Sequence, residues 1–166
     1  MAWIAAHRHE LVPPVANRQV YPAGDFIIMV VSGPNARTDF HVDPGAELFY
    51  QLEGTLTLRT MQGNQPVDYS IGPGEIFLLP PFVPHSPRRP AGSIGLVVER
   101  RRTPLERDGF QWYCPACNNL LHEEHLFVED IEESLPPVFE RFYADVRRRT
   151  CRNCSHVLER AGAETK

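Results

Sequence analysis

His41 and Glu47 stand six positions apart in the stretch HVDPGAELFYQLEG, and His85 closes the later stretch GEIFLLPPFVPH. Two imidazoles and a carboxylate are ligands for a transition metal. Glu47 is the odd member of the set. It opens the run ELFYQLE, whose alternation marks a strand with one buried face, and an unpaired carboxylate buried on such a face is costly. A bound cation would remove that cost. Taken together, His41, Glu47 and His85 offer two neutral nitrogens and one negative oxygen, the set that holds ferrous iron in non-haem oxygenases and leaves about three octahedral positions open. The bland alternative is a histidine-lined pocket without metal. His7, His9, His122, His125 and His156 fit no ligand spacing and read as structural or surface residues, and HEEH at 122–125 lacks the i, i+4 histidine step of a zinc-protease helix.

All four cysteines fall into two pairs, Cys114-x2-Cys117 in WYCPACNNL and Cys151-x2-Cys154 in RRTCRNCSHV, with 33 residues between them. Two knuckles of this spacing read as one tetrahedral thiolate site rather than as disulfides or a redox pair. Sulfur ligation suits iron or zinc equally.

The elements that must carry these residues are mostly strands. DFIIMVVSGP reads as a buried strand and a turn, ELFYQLEGTLTLRT as a hairpin turning at Glu53-Gly54, and MQGNQPV as loop. VDYSIGPGEIFLLPP reads as two strands about a Gly-Pro-Gly turn, and SIGLVVER as a further strand. In the hairpin's second arm Leu56 and Leu58 face one way, and Thr55, Thr57 and Arg59 the other. Residues 1–104 thus predict an all-β antiparallel barrel, preceded by a short helix over 2–12 that Pro13-Pro14 would end. Residues 105–166 predict an appendage with the cysteine pairs, one or two short strands and a helix. That helix lies in SLPPVFERFYADVRRRT, its prolines in the first turn and Phe139, Phe142, Tyr143 and Val146 at helical spacing.

Composition narrows the partners. The 166 residues are 42% hydrophobic and 23% charged with net charge −4, which suits a packed domain and gives no general attraction to nucleic acid or anionic membrane. Basic clusters at Arg100–Arg102 and Arg147–Arg149 are offset by Glu129-Asp130 and Glu132-Glu133, and read as solvated faces. No apolar run approaches membrane-span length, and the first apolar stretch, five residues before His7 and Arg8, is short for a signal peptide. A cytoplasmic chain with reduced thiols is the expectation.

The spacings His41-x-Asp43-x3-Glu47-x6-Gly54 and Gly74-x5-Pro80-x4-His85 resemble the two motifs of the cupin superfamily, small jelly-roll (double-stranded β-helix) barrels that hold a metal between inward-facing strands. There are departures. Asp43 replaces the usual second histidine, Gly33 is off spacing, Phe82 stands where a glycine is common, and Arg89 stands in place of an asparagine.

A closer resemblance lies in NRQVYPAGDFIIMVVSGPNARTDFHVDPGAELFYQLEG, GEIFLLPPFVPHSPRRP and LVVER followed by the two Cys pairs. Over about Asn17 to Cys154 these are similar to the bacterial 3-hydroxyanthranilate 3,4-dioxygenase family. The resemblance implies an Fe(II)-dependent extradiol-type enzyme that opens the ring of 3-hydroxyanthranilate with O2. The product is 2-amino-3-carboxymuconate semialdehyde, the quinolinate precursor on the kynurenine route to NAD. It implies His41, Glu47 and His85 as iron ligands, Arg37 beside O2, Arg89 as clamp of the substrate carboxylate, and Glu99 near the substrate's hydroxyl and amino groups. Glu47, Arg89 and Glu99 would then surround the substrate, with Arg37 and Glu99 as catalytic groups. It also implies a rubredoxin-like C-terminal site on Cys114, Cys117, Cys151 and Cys154, and a homodimer paired through N-terminal segments in which Trp3 and Ile4 would cover an apolar surface.

Residue chemistry suits these roles. A guanidinium grips a carboxylate through two parallel bonds, and an acid at the end of the apolar strand SIGLVV needs a partner or a task. Strand alternation aims Arg88 and Arg89 to opposite sides. Two other readings stand beside this one: a cupin dioxygenase for another aromatic or keto acid, and a metal-bearing ligand-binding module without catalysis.

Overall fold

The computed structural model describes residues 2–11, 17–35, 37–128 and 131–160, with backbone alone for 131–133. In chain order the strands are β1 (Asn17–Gln19), β2 (Phe26–Ser32), β3 (Asp39–Val42), β4 (Glu47–Glu53), β5 (Leu56–Gln62) and β6 (Gln65–Ile71). They continue with β7 (Ile76–Leu79), β8 (His85–Arg88), β9 (Ile94–Arg100), β10 (Asp108–Tyr113) and β11 (Leu120–Leu126). Two antiparallel sheets result, one ordered β1-β2-β9-β4-β7 and the other β11-β10-β3-β8-β5-β6. Their inner faces share a core that includes Phe49, Leu56, Leu58 and Val97, with both leucines fully buried as their alternation requires. This is a jelly-roll barrel, the all-β architecture expected.

Chain order misleads about pairing. The expected hairpin at Gly54 is a corner: β4 and β5 lie in different sheets. Gly54 takes φ +64° there, and a Cβ on it would come 3.0 Å from the Ser93 Cβ. The hairpin is β5–β6 instead, turning through Gly63-Asn64 in the stretch expected as loop. Both residues have positive φ, 56° and 63°, as a two-residue turn matched to strand twist demands. The Gly-Pro-Gly turn is another corner, since β6 and β7 also belong to different sheets. Alternation tells which face a residue buries and says nothing of which strand lies beside it.

At the N-terminus α1 (Ala2–His7) is followed by a 3-10 turn over Arg8–Glu10, shorter than the helix expected; Pro13-Pro14 lies outside the described residues. Ile4 and Leu11 pack on Val30 and Ile94, so Ile4 is covered by its own chain rather than left for a partner. Trp3, half-buried, packs at the edge of the same cluster.

Beyond residue 104, β10 and β11 extend the larger sheet past β3, and α2 (Ile131–Ala144) and α3 (Val146–Arg149) follow. Pro136 and Pro137 sit inside α2 rather than in its first turn, because the helix starts upstream at Ile131. A second core joins Phe110 and Trp112 of β10 to Val138 and Phe142 of α2 and to Leu158, with Trp112 stacked on Phe142 at 4.2 Å between centroids. The Arg100–Arg102 cluster is a solvated face only in part, since Arg102 turns inward. Arg100 pairs with Glu106, Arg101 donates to the carbonyls of Pro22 and Gly24, and the Arg102 side chain is only 2% exposed. The acidic pair Glu129-Asp130 and the side chains of Glu132-Glu133 lie outside the described residues. No helix among the described residues is long and apolar enough to cross a membrane.

Candidate active site

Strand pairing brings the three chemical residues together. His41 on β3 is in register with His85 at the start of β8, and Glu47 opens β4 in the opposing sheet. One ligand atom from each lies within 4.8 Å of the others. The Glu47 Oε1 is 3.2 Å from His41 Nδ1 and 3.0 Å from His85 Nε2, yet it is buried and makes no hydrogen bond. Burial opposes the Glu47 charge, but both imidazoles outweigh it and hold the carboxyl well below its usual range. Burial likewise opposes a charged His41, and the hydrogen bond to Asp108 together with the nearby Glu47 and Asp108 carboxylates overcomes it, pushing the imidazole up to about 10.

The outer nitrogens of both rings are occupied. His85 Nδ1 donates to the Val83 carbonyl at 3.0 Å, and His41 Nε2 to Asp108 Oδ2 at 2.7 Å. Each ring therefore turns its other nitrogen toward Glu47, the arrangement in which a histidine ligates a metal. An orphaned carboxylate oxygen between two such nitrogens fits a divalent cation held by His41, Glu47 and His85.

A cavity of about 370 Å³ opens over this triad, lined also by Arg37, Arg89 and Glu99. Apolar walls come from Val31, Phe49 and Val97 of the barrel and from Pro136 and Phe139 of α2. Its size and mixed lining suit one small ring with a few polar substituents.

Arg89 is 3% exposed and has no acidic partner among the described residues. Its Nη1 donates to Gln51 Oε1 at 2.9 Å, while Nε is buried without a partner. Burial pulls the guanidinium down to about 10, so it stays charged at neutral pH. Gly95 makes room for it: a Cβ there would stand 2.7 Å from Nη1. Arg88 does not line the cavity, and faces the charges of Arg59 and Asp68 instead.

Glu99 on β9 is the cross-strand partner of Glu47. Its Oε2 lies 3.0 Å from Arg102 Nη1, and its Oε1 is buried without a partner. Burial, then the nearby Glu47 charge, push this carboxyl well above its usual range. Two facing carboxyls are thus driven apart, one suited to hold a cation and the other, with its raised proton affinity, to exchange a proton. Arg37 lines the cavity too, but its guanidinium is clamped by Asp39, with Nε 3.1 Å from Oδ1. Asp43, standing where a cupin has its second histidine, accepts from the Gly45 N–H at 2.6 Å and from Arg102 at 2.8 Å.

The four cysteines, none in a disulfide, form a separate cluster with all sulfurs within 4.8 Å. Two edges, Cys114–Cys154 and Cys117–Cys151, measure 3.5 Å. A tetrahedron of sulfurs about 2.3 Å from a metal has edges of roughly 3.8 Å. The two knuckles repeat one geometry: Asn118 N–H donates to Cys114 O and Ser155 N–H to Cys151 O, at 2.8 and 2.9 Å. Asn118 and Ser155 both take positive φ, 59° and 61°.

The family model of 3-hydroxyanthranilic acid dioxygenase matches residues 1–143. The chain belongs to this family. A 3-hydroxyanthranilate 3,4-dioxygenase of Xanthomonas campestris pv. campestris (strain B100) is 56% identical over 94% of this chain and 88% of its own length. One from Jannaschia sp. (strain CCS1) is 50% identical over 94% and 87%. A solved cupin-2 domain protein from Shewanella frigidimarina aligns over 58% of this chain and 92% of that one, at 19% identity and TM-score 0.47. Membership implies a metal cofactor, and both candidate sites have suitable donors.

Several residues at this candidate site were not singled out by sequence. Asp108 heads the stripe Asp108, Phe110, Trp112, Cys114, every member at most 1% exposed. An acid opening an apolar alternation is the same signal that Glu47 gives. Gln51 and Gly95, which hold and admit Arg89, carry no such signal.

Proposed function

We propose that this chain is an Fe(II)-dependent extradiol-type dioxygenase that opens the ring of 3-hydroxyanthranilate with O2, giving 2-amino-3-carboxymuconate semialdehyde. The carrying observation is that one cavity holds both an orphaned ligand triad and a buried guanidinium with no acid beside it among the described residues. Such a cavity asks for a cation and for an anion. A small aromatic acid bearing adjacent hydroxyl and amino groups supplies the anion and two donors toward the cation.

In this reading His41, Glu47 and His85 hold ferrous iron, which supplies the one-electron chemistry that lets O2 react with a closed-shell ring. Arg89 takes the substrate carboxylate along its unpartnered edge and so fixes the ring's orientation. The free Oε1 of Glu99 accepts the phenol proton as the hydroxyl turns toward the metal site. Arg37, steadied by Asp39, offers positive charge where reduced oxygen develops negative charge. The walls formed by Phe49, Val97 and Phe139 exclude water from the ring.

The cysteine cluster holds iron or zinc in a closed, four-ligand site that clamps the knuckles behind β10, without a catalytic part. The free thiols support a cytoplasmic location. Homodimerisation finds support on the outer face of the five-stranded sheet, where Ile76 and Leu78 are 67% and 64% exposed beside Tyr50.

The test is anaerobic loading with Fe(II), then addition of 3-hydroxyanthranilate and air, with the semialdehyde followed by its absorbance and decay. Stoichiometric O2 uptake with that product is expected. Uptake without it would point to another aromatic or keto acid, and no uptake to a binding module.

A further inference from the structure

Behind the ligand triad lies a buried cluster of which only Glu99 has a part in the roles above. The Arg102 guanidinium meets Asp108 through two bonds, Nε to Oδ1 at 2.9 Å and Nη2 to Oδ2 at 2.6 Å. Nη2 also reaches Asp43 at 2.8 Å, and Nη1 lies 3.0 Å from Glu99 Oε2. The four side chains are 1–3% exposed. They come from the turn after β3, the end of β9, the connection beyond it and the first residue of β10.

We infer that Asp108 is a positioning residue for His41, and that Arg102 is the strut that fixes Asp108 and Glu99 together. The inference rests on the metal site proposed above. An imidazole ligates through one nitrogen when its proton sits on the other. Asp108 Oδ2, 2.7 Å from Nε2, holds that proton away from Glu47 and turns Nδ1 toward it. Phe110, two residues along the same strand, stacks on the ring at 5.3 Å and 19° and sets its plane.

Arg102 decides where Asp108 points, because a carboxylate gripped through both oxygens cannot rotate. Its other arm takes Oε2 of Glu99 and leaves Oε1 for the cavity. One guanidinium thus sets the metal side and the substrate side of the site at once. Asp43 and Asp108 alone outnumber the one guanidinium, and the surplus negative charge lies behind His41 and Glu47, where a divalent cation would be favoured.

The test uses full chains carrying Asp108→Leu, Asp108→Asn and Arg102→Lys. Fe(II) affinity of the barrel site is read by anaerobic competition with a coloured chelator, and metal held by the cysteine cluster serves as internal control. Nitric oxide added to the ferrous protein gives a paramagnetic signal that reports ligand geometry at the open site alone. Asp108→Leu is expected to weaken Fe(II) binding by about 10- to 100-fold and to shift that signal, with cysteine-site metal unchanged. Asp108→Asn, which keeps an acceptor oxygen, should lose several-fold. Arg102→Lys should shift the signal and raise KM more than it lowers kcat.

Wild-type affinity and an unchanged signal in Asp108→Leu would overturn the inference. Should that chain fail to fold, unchanged affinity and signal in Asp108→Asn would overturn it equally. A wild-type chain that binds no Fe(II) would sink the function reading itself. One that binds iron and opens the ring while the variants match it would sink only the positioning role.

Discussion

The Arg89 and Arg102 side chains are both taken out of water and stand in opposite circumstances. Arg102 meets three carboxyls, from Asp43, Glu99 and Asp108; Arg89 meets the neutral side-chain carbonyl of Gln51. Burial opposes both charges. At Arg102 the carboxyls outweigh it and raise the guanidinium's pKa, whereas at Arg89 nothing offsets it and the value falls to about 10. One arginine completes an ion cluster, and the other is half of one. Folding does not leave a charge unpartnered in its interior without consequence, since each buried ion costs several kcal/mol of desolvation. The incomplete cluster faces the cavity and the complete one lies behind the ligands, which divides recognition from scaffolding.

Removing each charge should separate the two roles. Arg89→Met is expected to weaken 3-hydroxyanthranilate binding to the anaerobic iron-loaded chain by about 3–6 kcal/mol, the worth of two charge-assisted bonds. Calorimetric titration would read this as a loss of at least about 100-fold. The same substitution should leave the ligand-free fold as stable as before, or about 1 kcal/mol more so, because an uncompensated ion leaves the interior. Arg102→Met should do the reverse. It strands Asp43 and Asp108 without their cation and should cost about 3–5 kcal/mol of unfolding free energy by denaturant titration. If both substitutions destabilised the fold alike, the division would be wrong.

Gly95→Ala sharpens the contrast without removing any charge. The added Cβ would lie 2.7 Å from Arg89 Nη1 and from Gln51 Oε1, both ends of side chains. The guanidinium must shift to admit it, so substrate affinity should fall about tenfold, or about 1.4 kcal/mol. The Arg102 cluster is not among the atoms it crowds, and ligand-free stability should change by less than about 1 kcal/mol.

The difference between the arginines also explains what the sequence could reveal. Arg89 lies four residues after His85 and belongs to a local motif, so spacing exposes it. Glu47 and Glu99 each interrupt an apolar alternation, and the cysteine knuckles are complete within short stretches. Arg102 lies in the run RRR, where composition suggests solvent, and only the turn after β9 selects it for burial. Asp108 matters because β10 pairs with β3, setting Phe110 opposite His41. That neighbour relation follows from strand order across the whole jelly roll. Strand order was also what the Glu53-Gly54 hairpin reading missed: the residues' faces were legible, their neighbours were not.

A third arginine provides the baseline. Arg59 on β5 grips Asp68 on β6 with the same two-bond geometry, Nε to Oδ1 at 2.7 Å and Nη2 to Oδ2 at 2.6 Å. Here the side chains are 31% and 41% exposed, and water screens the pair. The hydrogen bonds from Arg59 lower the Asp68 pKa. A carboxyl lowered on folding stabilises the fold above its unfolded pKa, near 3.9, and loses that contribution as pH falls through its lower folded value. Asp68→Asn should therefore cost no more than about 0.5–1 kcal/mol at pH 7, and nothing once the pH lies below both values. Unfolding free energies at the two pH values would check it. A cost at pH 7 approaching that of Arg102→Met would mean that paired geometry, rather than burial, sets the strength of these clusters, and the contrast between Arg89 and Arg102 would lose its physical basis.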